Sequence, residues 1–372
     1  AGRLLAGEKM KEIHDLPQSA FTVSSGTVMP PLPGIRDRAL RPCHEALASR
    51  KVYAENFVLF EKTSNSMKPV RLTEQCGDVT VVVNPPLPPA TEAETDAVYD
   101  LPFNYAPHPR YEKKGAIPAW EMIKFSVNIH RGCFGGCSFC AIAAHQGKFI
   151  SSRSEASVMR EVEKISRMDG FKGYLSDLGG PSANMYRMAG RDRERCMKCG
   201  RPSCIWPSVC DNLETSHREL TLLYKKVNSL PYIRKAFIGS GVRYDLLMKD
   251  YNKAAGNEEE QYLRELVVNH TSGRLKVAPE HTDDEVLYLM RKSSYRHFRK
   301  LGERFMSIIR AGGLRYELIP YFISAHPGTS MKKMEALARE LSDLGMHPEQ
   351  VQDFTPTPMT LSTAMFYLGF DP

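Results

Sequence analysis

Residues 128–147, with the sequence NIHRGCFGGCSFCAIAAHQG, place three cysteines within eight positions. Cys133, Cys137 and Cys140 are separated by three and two residues, and glycines among them let the loop turn without Cβ clashes. An iron–sulfur cluster of the four-iron type is held by cysteine thiolates, so three ligands would leave one iron open. A closed zinc site with His145 as the fourth ligand is the alternative reading. The spacing favours the cluster without excluding zinc.

Composition sets the class of protein. The chain has 372 residues, of which 42% are hydrophobic and 25% charged, as in soluble globular proteins of one large domain or two ordinary ones. It contains no apolar run of about 18 residues, so we expect no membrane-spanning helix. The first residues are amphipathic and lack an initiator methionine. We therefore expect the native chain to begin elsewhere.

The formal net charge is +7, and the calculated pI is near 8.8. Most lysines and arginines are interleaved with acidic residues, a pattern typical of a solvated surface. This balance admits a nucleic acid or another large anion as substrate without requiring one.

Nine cysteines, an odd number without a secretory signal, argue against a disulfide framework and for a reducing, cytoplasmic location. Seven of them fall into two groups. The second group suits a closed site for zinc or a second iron–sulfur cluster, with structural thiols as the alternative. Its members are Cys196, Cys199, Cys204 and Cys210.

Beyond about residue 123 the sequence alternates between strand and helix patterns. The predicted strands cover 123–129, 173–180, 235–241, 274–280, 315–323 and 351–358. The predicted helices cover 154–168, 216–230, 258–273, 283–311 and 330–345. Such alternation predicts parallel strands, whose chemistry lies in the loops at their carboxyl ends.

Residues 1–118 have a different pattern, mixed and rich in loops. We predict a helix over 36–62, a strand over 78–84 and a proline-rich connector over 85–96. This region is expected to form a mixed α/β extension that links to an upstream domain outside the sequence.

Three further motifs follow predicted strands and would share one end of the sheet: GGPS, GSGVRYD and APEH. Within them, Ser240, Arg243 and Glu280 are candidate binding residues. Arginine binds a carboxylate through its two-pronged guanidinium, and Glu280 suits ribose hydroxyls or a substrate. Each is equally typical of a structural ion pair. His281 and His326 are read as structural histidines.

The pattern Cys133-x3-Cys137-x2-Cys140, with an aromatic residue before the last cysteine, resembles the signature loop of the radical SAM (S-adenosylmethionine) superfamily. The longer string IHRGCFGGCSFCAIAAHQGKFISSRS resembles the YgiQ-type branch closely. LSDLGGPSANMYR, CGRPSCIWPSVCDNL, GSGVRYDLL, LKVAPEHT and AHPGTSMKKM are similar to that branch as well. The resemblance covers essentially the whole chain.

The resemblance implies an α/β fold, a partial TIM barrel of type (β/α)6, over residues 119–372. A cysteine-rich insertion would occupy about 181–215, and residues 1–118 would be the N-terminal extension. Members of this branch usually have more sequence at both ends, including an upstream domain of the cobalamin-binding type. The chain is therefore expected to be a fragment trimmed at both ends.

The resemblance also implies a function. Cys133, Cys137 and Cys140 would hold a [4Fe-4S] cluster whose open iron binds S-adenosylmethionine. An external electron donor would reduce the cluster, and cleavage of S-adenosylmethionine to methionine and a 5′-deoxyadenosyl radical would start hydrogen abstraction from an unidentified substrate. The alternative is a metal-stabilised module that binds RNA or protein and does not cleave S-adenosylmethionine.

The resemblance places three more residues at the cofactor. Phe139 would lie near the adenine, with a packed core aromatic as the alternative. The backbone of Gly179 and Gly180 would meet the methionine amino group, with a plain turn as the alternative. Pro181 stands where many relatives carry an acidic residue, so a side-chain contact from that position is not carried over.

Overall fold

The structure is a computed structural model that describes residues 2–111, 113–247, 258–346 and 348–372. The chain divides into two compact units. The first comprises Ala1–Pro88, Asp192–Pro202 and Thr363–Pro372, and the second comprises Pro89–Arg191 and Ser203–Ser362. The sequence-based division at residues 118 and 119 stays a prediction.

The described strands are β1 (Ala20–Ser24), β2 (Arg36–Ala39), β3 (Val70–Cys76), β4 (Val79–Val83), β5 (Ser126–Asn128), β6 (His130–Arg131), β7 (Ser151–Ser152), β8 (Tyr174–Leu175), β9 (Asp177–Gly179), β10 (Lys235–Ala236), β11 (Arg274–Glu280), β12 (Glu317–Ser324) and β13 (Gln350–Asp353). The described α-helices are α1 (Gly2–Leu5), α2 (Cys43–Ala48), α3 (Arg50–Ser64), α4 (Glu92–Tyr99), α5 (Pro118–Ile123), α6 (Ile142–Gln146), α7 (Glu155–Ser166), α8 (Arg193–Lys198), α9 (Arg218–Asn228), α10 (Glu258–His270), α11 (Asp284–Leu289), α12 (Tyr295–Ala311), α13 (Met331–Asp343) and α14 (Leu361–Leu368). No helix in these ranges is long and apolar enough to cross a membrane.

The first unit contains a four-stranded sheet in the order β1-β4-β3-β2. β4 confirms the strand predicted over 78–84, and β2 pairs parallel with β3. The helix predicted over 36–62 is wrong at its start, because residues 36–39 are strand β2. Pro42 is the N-cap of α2 and lacks the N–H that a helix interior needs, so helix begins only at Cys43.

Two further predictions need correction, and the helices concerned lie in the second unit. The connector predicted over 85–96 contains the start of α4, which Thr91 and Glu94 cap by exchanging hydrogen bonds between side chain and backbone. The helix predicted over 283–311 is two helices, α11 and α12. The chain turns between them, where Arg291 has a left-handed φ of 54°.

The predicted parallel pairing is confirmed in the second unit. β5 pairs parallel with β9, β8 with β10, and β12 with both β11 and β13. Within the described residues these pairs form several small sheets and no closed barrel, so the architecture is mixed α/β and the predicted partial TIM barrel is not confirmed. Some strands are shorter than predicted. β10 has two residues instead of the predicted seven, so its ladder with β8 is correspondingly short.

The core of the second unit explains why the helices lie against these strands. α7, α9, α10 and α12 each bury one apolar face, and their buried residues form one cluster with those of the parallel strands. Ser154 caps α7, accepting a hydrogen bond from the N–H of Ser157 at 3.1 Å. The strand ends are thereby fixed on a packed scaffold.

Candidate cluster and cofactor site

The three predicted cluster cysteines lie on one hairpin that follows β5. β6 and β7 pair antiparallel, with His130 opposite Ser152, and so bring the two ends of the loop together. The N–H of Cys133 donates to the carbonyl of Gly147 at 3.0 Å. Cys133, Cys137 and Cys140 are free, partly buried thiols. One short segment therefore presents three sulfur atoms.

Two glycines in this loop occupy positions where a side chain would collide. Gly132 has a left-handed φ of 88°, and a Cβ there would lie 2.3 Å from the carbonyl oxygen of Phe149. A Cβ at Gly135 would lie 3.0 Å from Nη1 of Arg243 and 3.3 Å from Sγ of Cys133. The glycines thus allow backbone to pass close to the sulfur atoms, as the sequence reading expected.

The thiols influence one another electrostatically. The pKa of Cys133 is raised to about 11, chiefly by burial and then by the neighbouring Cys137, while Arg243 and the N–H of Gly135 oppose the shift. Burial, followed by Cys137, also raises the pKa of Cys140. Neutral thiols in this setting need a cation to displace their protons before they act as ligands.

The donor set fits a four-iron cluster. Thiolates are the ligands that such clusters take, and hydrogen bonds to the sulfur atoms already come from Gly135 and Arg243. As the side chains stand, no group of three or more His, Cys, Asp or Glu side chains among the described residues is gathered to hold a single metal ion. His145, the fourth ligand of the zinc alternative, is exposed on α6.

Arg243 follows β10 and reaches the cysteine loop. Its Nη1 lies 3.0 Å from Sγ of Cys137. The other edge of its guanidinium binds both carboxylate oxygens of Asp245, with Nε–Oδ1 and Nη2–Oδ2 distances of 3.1 and 2.5 Å. Burial would raise the pKa of Asp245, but Arg243 lowers it below its usual value. The two-pronged contact expected for a bound carboxylate is thus made with Asp245.

Glu280 ends β11 with a left-handed φ of 70° and is buried. Lys292 donates to its carboxylate at 3.4 Å, which is the ion-pair reading allowed by the sequence. Glu280 raises and Lys292 lowers the pKa of Cys140, so this pair lies within electrostatic range of the loop. A second buried ion pair therefore lies within electrostatic range of Cys140.

Phe139 packs against the main apolar cluster and meets the ring of His326 edge-on, with the ring centres 6.2 Å apart. Behind it, Oγ of Ser362 lies 2.6 Å from Nε2 of His326 and 2.8 Å from Oγ of Ser138. His281 accepts a hydrogen bond from the next turn of the chain. These contacts agree with structural roles for both histidines, and they connect the loop to the ends of β12 and α14.

Gly179 ends β9, and Gly180 follows it. The carbonyl of Gly179 accepts from the N–H of Ile129, and a Cβ at Gly180 would lie 2.4 Å from the imidazole of His130. The absence of a side chain at Gly180 is therefore explained by packing. Ser240 donates its hydroxyl to Asp177, whose pKa is raised by burial.

The structure distributes the second cysteine group over both units. Cys196 and Cys199 belong to the first unit, and Cys204 and Cys210 to the second. In the second unit, the N–H of Cys204 donates to the carbonyl of Phe134 at 3.0 Å. Cys133, Cys204 and Cys210 also pack against one small apolar cluster. Its buried members are Phe134, Met185, Met188, Ile205, Leu213 and Leu246.

Sequence reasoning missed the residues that hold the site from behind. Asn184 is fully buried and binds Arg243 at both its backbone N–H and its carbonyl. Asp245 and Lys292 were missed as ion-pair partners. Asp245 was the readable one, since an acid two positions after an arginine can take up its guanidinium. Asn184 lies 59 residues before Arg243 in the sequence, and no local pattern indicates that the two residues meet.

The sequence of the chain is similar to those of known proteins. Residues 1–126 match the family described as Radical SAM N-terminal. UPF0313 proteins from Porphyromonas gingivalis and Bacteroides thetaiotaomicron are each 52% identical, over 100% and 99% of this chain and 58% and 59% of their own lengths. A UPF0313 protein from Methanosarcina acetivorans is 38% identical over 100% of this chain and 51% of its own.

The chain is therefore a member of the radical SAM superfamily. More narrowly, it belongs to the UPF0313 proteins, the YgiQ-type family, and the resemblance drawn from its motifs is confirmed. It spans a little over half the length of these curated relatives. The family match ends just before the cysteine hairpin, so the hairpin's role rests on its own residues.

Proposed function

We propose that this chain forms the cluster-binding and cofactor-binding part of a radical SAM enzyme. The observation that carries the proposal is the hairpin that presents Cys133, Cys137 and Cys140 within reach of a buried arginine. When bound, a reduced [4Fe-4S] cluster with S-adenosylmethionine supplies a 5′-deoxyadenosyl radical that abstracts hydrogen from a substrate.

The residues of this chain would bind, orient and shield these groups. The three thiolates would hold three irons and leave one for S-adenosylmethionine. Arg243 would contact the cluster and not the cofactor, because its guanidinium already binds Sγ of Cys137 and the carboxylate of Asp245. Glu280, which is buried and paired with Lys292, would orient the cofactor.

The remaining proposed contacts come from the neighbouring strand ends. The backbone of Gly179 and Gly180 would contact the methionine amino group of S-adenosylmethionine. Ser240 would bind the same cofactor close to these glycines. Phe139 would border the adenine. We also propose that the parallel strands of the second unit are parts of one (β/α)6 partial barrel over residues 119–372. The nine thiols and the cluster suit a reducing cytoplasm with an external electron donor.

Anaerobic reconstitution tests the proposal. The chain is loaded with iron and sulfide, reduced with dithionite and given S-adenosylmethionine, and 5′-deoxyadenosine is measured. We expect product from the wild type and from Cys76→Ala, a thiol of strand β3 outside the hairpin, and none from Cys137→Ala.

Two results would refute it. One is a Cys137→Ala variant that loads and reduces the same cluster as the wild type. The other is a fully loaded, reducible wild type whose paramagnetic spectrum does not change when S-adenosylmethionine is added, which would favour the structural metal module. A changed spectrum without product would confirm cofactor binding and assign turnover to regions of the longer protein.

The same preparation tests the second cysteine group as a site for zinc or a second cluster. The Cys199→Ala, Cys204→Ala variant is expected to lose metal while it retains the cluster of the hairpin. Unchanged iron and zinc content in that variant would contradict this assignment.

A further inference from the structure

Arg243 is a buried cation on a sulfur atom of the proposed cluster site. Only 9% of its surface is exposed, and its Nη1 lies 3.0 Å from Sγ of Cys137. Gly135 leaves the space that the guanidinium occupies, because a Cβ there would lie 3.0 Å from Nη1. The contact is therefore built into the loop.

Asn184 and Asp245 fix this guanidinium in place. Asn184, with no exposed surface, accepts from the N–H of Arg243 at 2.7 Å and donates to its carbonyl at 3.0 Å. Asp245 binds the guanidinium edge that faces away from the sulfur. Backbone and side chain are thus both held, which leaves Nη1 directed at Cys137.

A fixed positive charge beside the sulfur has a predictable effect on a redox centre. Reduction adds one negative charge to a cluster, and both net charge and hydrogen bonds to the sulfur atoms set its potential. An N–H donor on Cys137 stabilises the reduced state, whereas the nearby carboxylate of Asp245 partly offsets that stabilisation. The two members of this ion pair therefore have opposite effects on the reduction potential: Arg243 raises it and Asp245 lowers it.

We propose that Arg243 raises the reduction potential of the cluster held by the cysteine hairpin, and that Asn184 and Asp245 are positioning residues for it. This inference rests on the proposed function. It assigns the guanidinium to the electron-transfer step, in which an external donor must reduce the cluster, instead of to an incoming carboxylate.

The test is a redox titration of the reconstituted chain, followed by the paramagnetic signal of the reduced cluster. In Arg243→Met we expect the ratio of reduced to oxidised cluster, at a fixed solution potential, to fall at least about tenfold, or 59 mV for one electron. Arg243→Lys keeps the charge and should shift the ratio less in the same direction. Asp245→Asn keeps an oxygen that can accept from Nε of Arg243 and so hold the guanidinium, but it removes the offsetting charge and should shift the ratio the opposite way.

Arg71→Met is the matched control. Arg71 is likewise a buried arginine paired with a carboxylate, that of Asp37 at 2.7 Å, but its hydrogen bonds go to Asp37 and the Pro30 carbonyl and not to sulfur. We expect this variant to keep the wild-type potential. A merely structural role for Arg243 would move iron content or stability without opposite shifts in Arg243→Met and Asp245→Asn.

Loaded variants of Arg243 with the wild-type ratio, or an Asp245→Asn shift in the same direction as Arg243→Met, would overturn the inference. If Arg243→Met takes up no iron, Arg243→Lys provides the test instead. A wild-type reduction potential in Arg243→Lys would then refute the inference. A wild type that neither loads a cluster nor responds to S-adenosylmethionine would instead refute the proposed function, so the two failures are distinguishable.

Discussion

Protonation of one buried histidine should make the stability of the second unit depend on pH. His217 has no exposed surface, stacks on Tyr262 with ring centres 4.4 Å apart, and accepts from Nδ2 of Asn184 at 3.0 Å. Burial lowers the pKa of His217 from 6.5 to about 3. A protonated ring could no longer accept that hydrogen bond, so the neutral form is favoured in the folded state.

The lowered pKa of His217 determines the direction in which stability changes with pH. Between pH 6.5 and 3 the unfolded chain binds more protons at His217 than the folded chain, so stability falls as pH falls. A shift of that size corresponds to about 5 kcal/mol over the whole window, and about 2 kcal/mol accumulates by pH 5. The advantage of wild type over His217→Gln should therefore shrink by about 2 kcal/mol between pH 7.5 and pH 5.

Urea unfolding of the metal-free protein at both pH values measures this difference. His130 and His326, whose pKa values burial also lowers to about 4, act in the same direction but are present in both proteins. His44→Gln, a change at an exposed histidine of α2, is the control and should leave the pH dependence intact. If wild type and His217→Gln differ by the same free energy at pH 7.5 and pH 5, the reasoning is refuted.

Two substitutions probe the support of the cysteine loop, each by urea unfolding beside a matched control. Gly132→Ala would put a Cβ 2.3 Å from the Phe149 carbonyl oxygen in left-handed backbone, so we expect a loss of about 1–3 kcal/mol. Gly241→Ala, where nothing lies within 4 Å, should cost less, and equal losses would contradict the argument. Ser362→Ala leaves two buried partners without a hydrogen bond and should cost about 1–3 kcal/mol, against little for the exposed Ser64→Ala. Similar midpoints for these two variants would refute a supporting role.

Elements with a strong local signal could be predicted from the sequence. The strand predicted over 274–280 has the observed bounds of β11, because its apolar residues alternate and Gly273 precedes it. α7 and α13 begin after Ser154 and Ser330, whose side chains cap them. In each case the deciding interaction lies within a few residues of the element, where a sequence pattern can express it.

Elements decided by distant partners could not be predicted. Residues 36–39 form a strand because β3, more than thirty positions later, offers them a parallel edge. Their charged sequence RDRA carries no alternating apolar pattern, and all four are exposed. The start of α4 was missed for another reason, since the capping pair Thr91 and Glu94 was readable but stood in a proline-rich stretch.

In the candidate site, too, locally determined features could be predicted from the sequence and contacts between distant residues could not. The spacing of the three thiols and the glycines between them is local, so the loop was predictable. The hydrogen bonds from Asn184 to Arg243 and from Ser362 to Ser138 join residues 59 and 224 positions apart. Only folding brings such groups together, and no local pattern in the sequence records their pairing.

Arg243 shows how residue type constrains chemistry without naming the partner. The sequence correctly indicates that a guanidinium can bind a carboxylate with two parallel hydrogen bonds. In the structure that carboxylate is Asp245, two positions along the same turn. Because one edge of the guanidinium is satisfied within the turn, the remaining Nη1 faces the cysteine loop and meets Cys137. A carboxylate from outside would have to displace Asp245 from a buried ion pair, which is costly, whereas a sulfur ligand is accommodated with the pair intact.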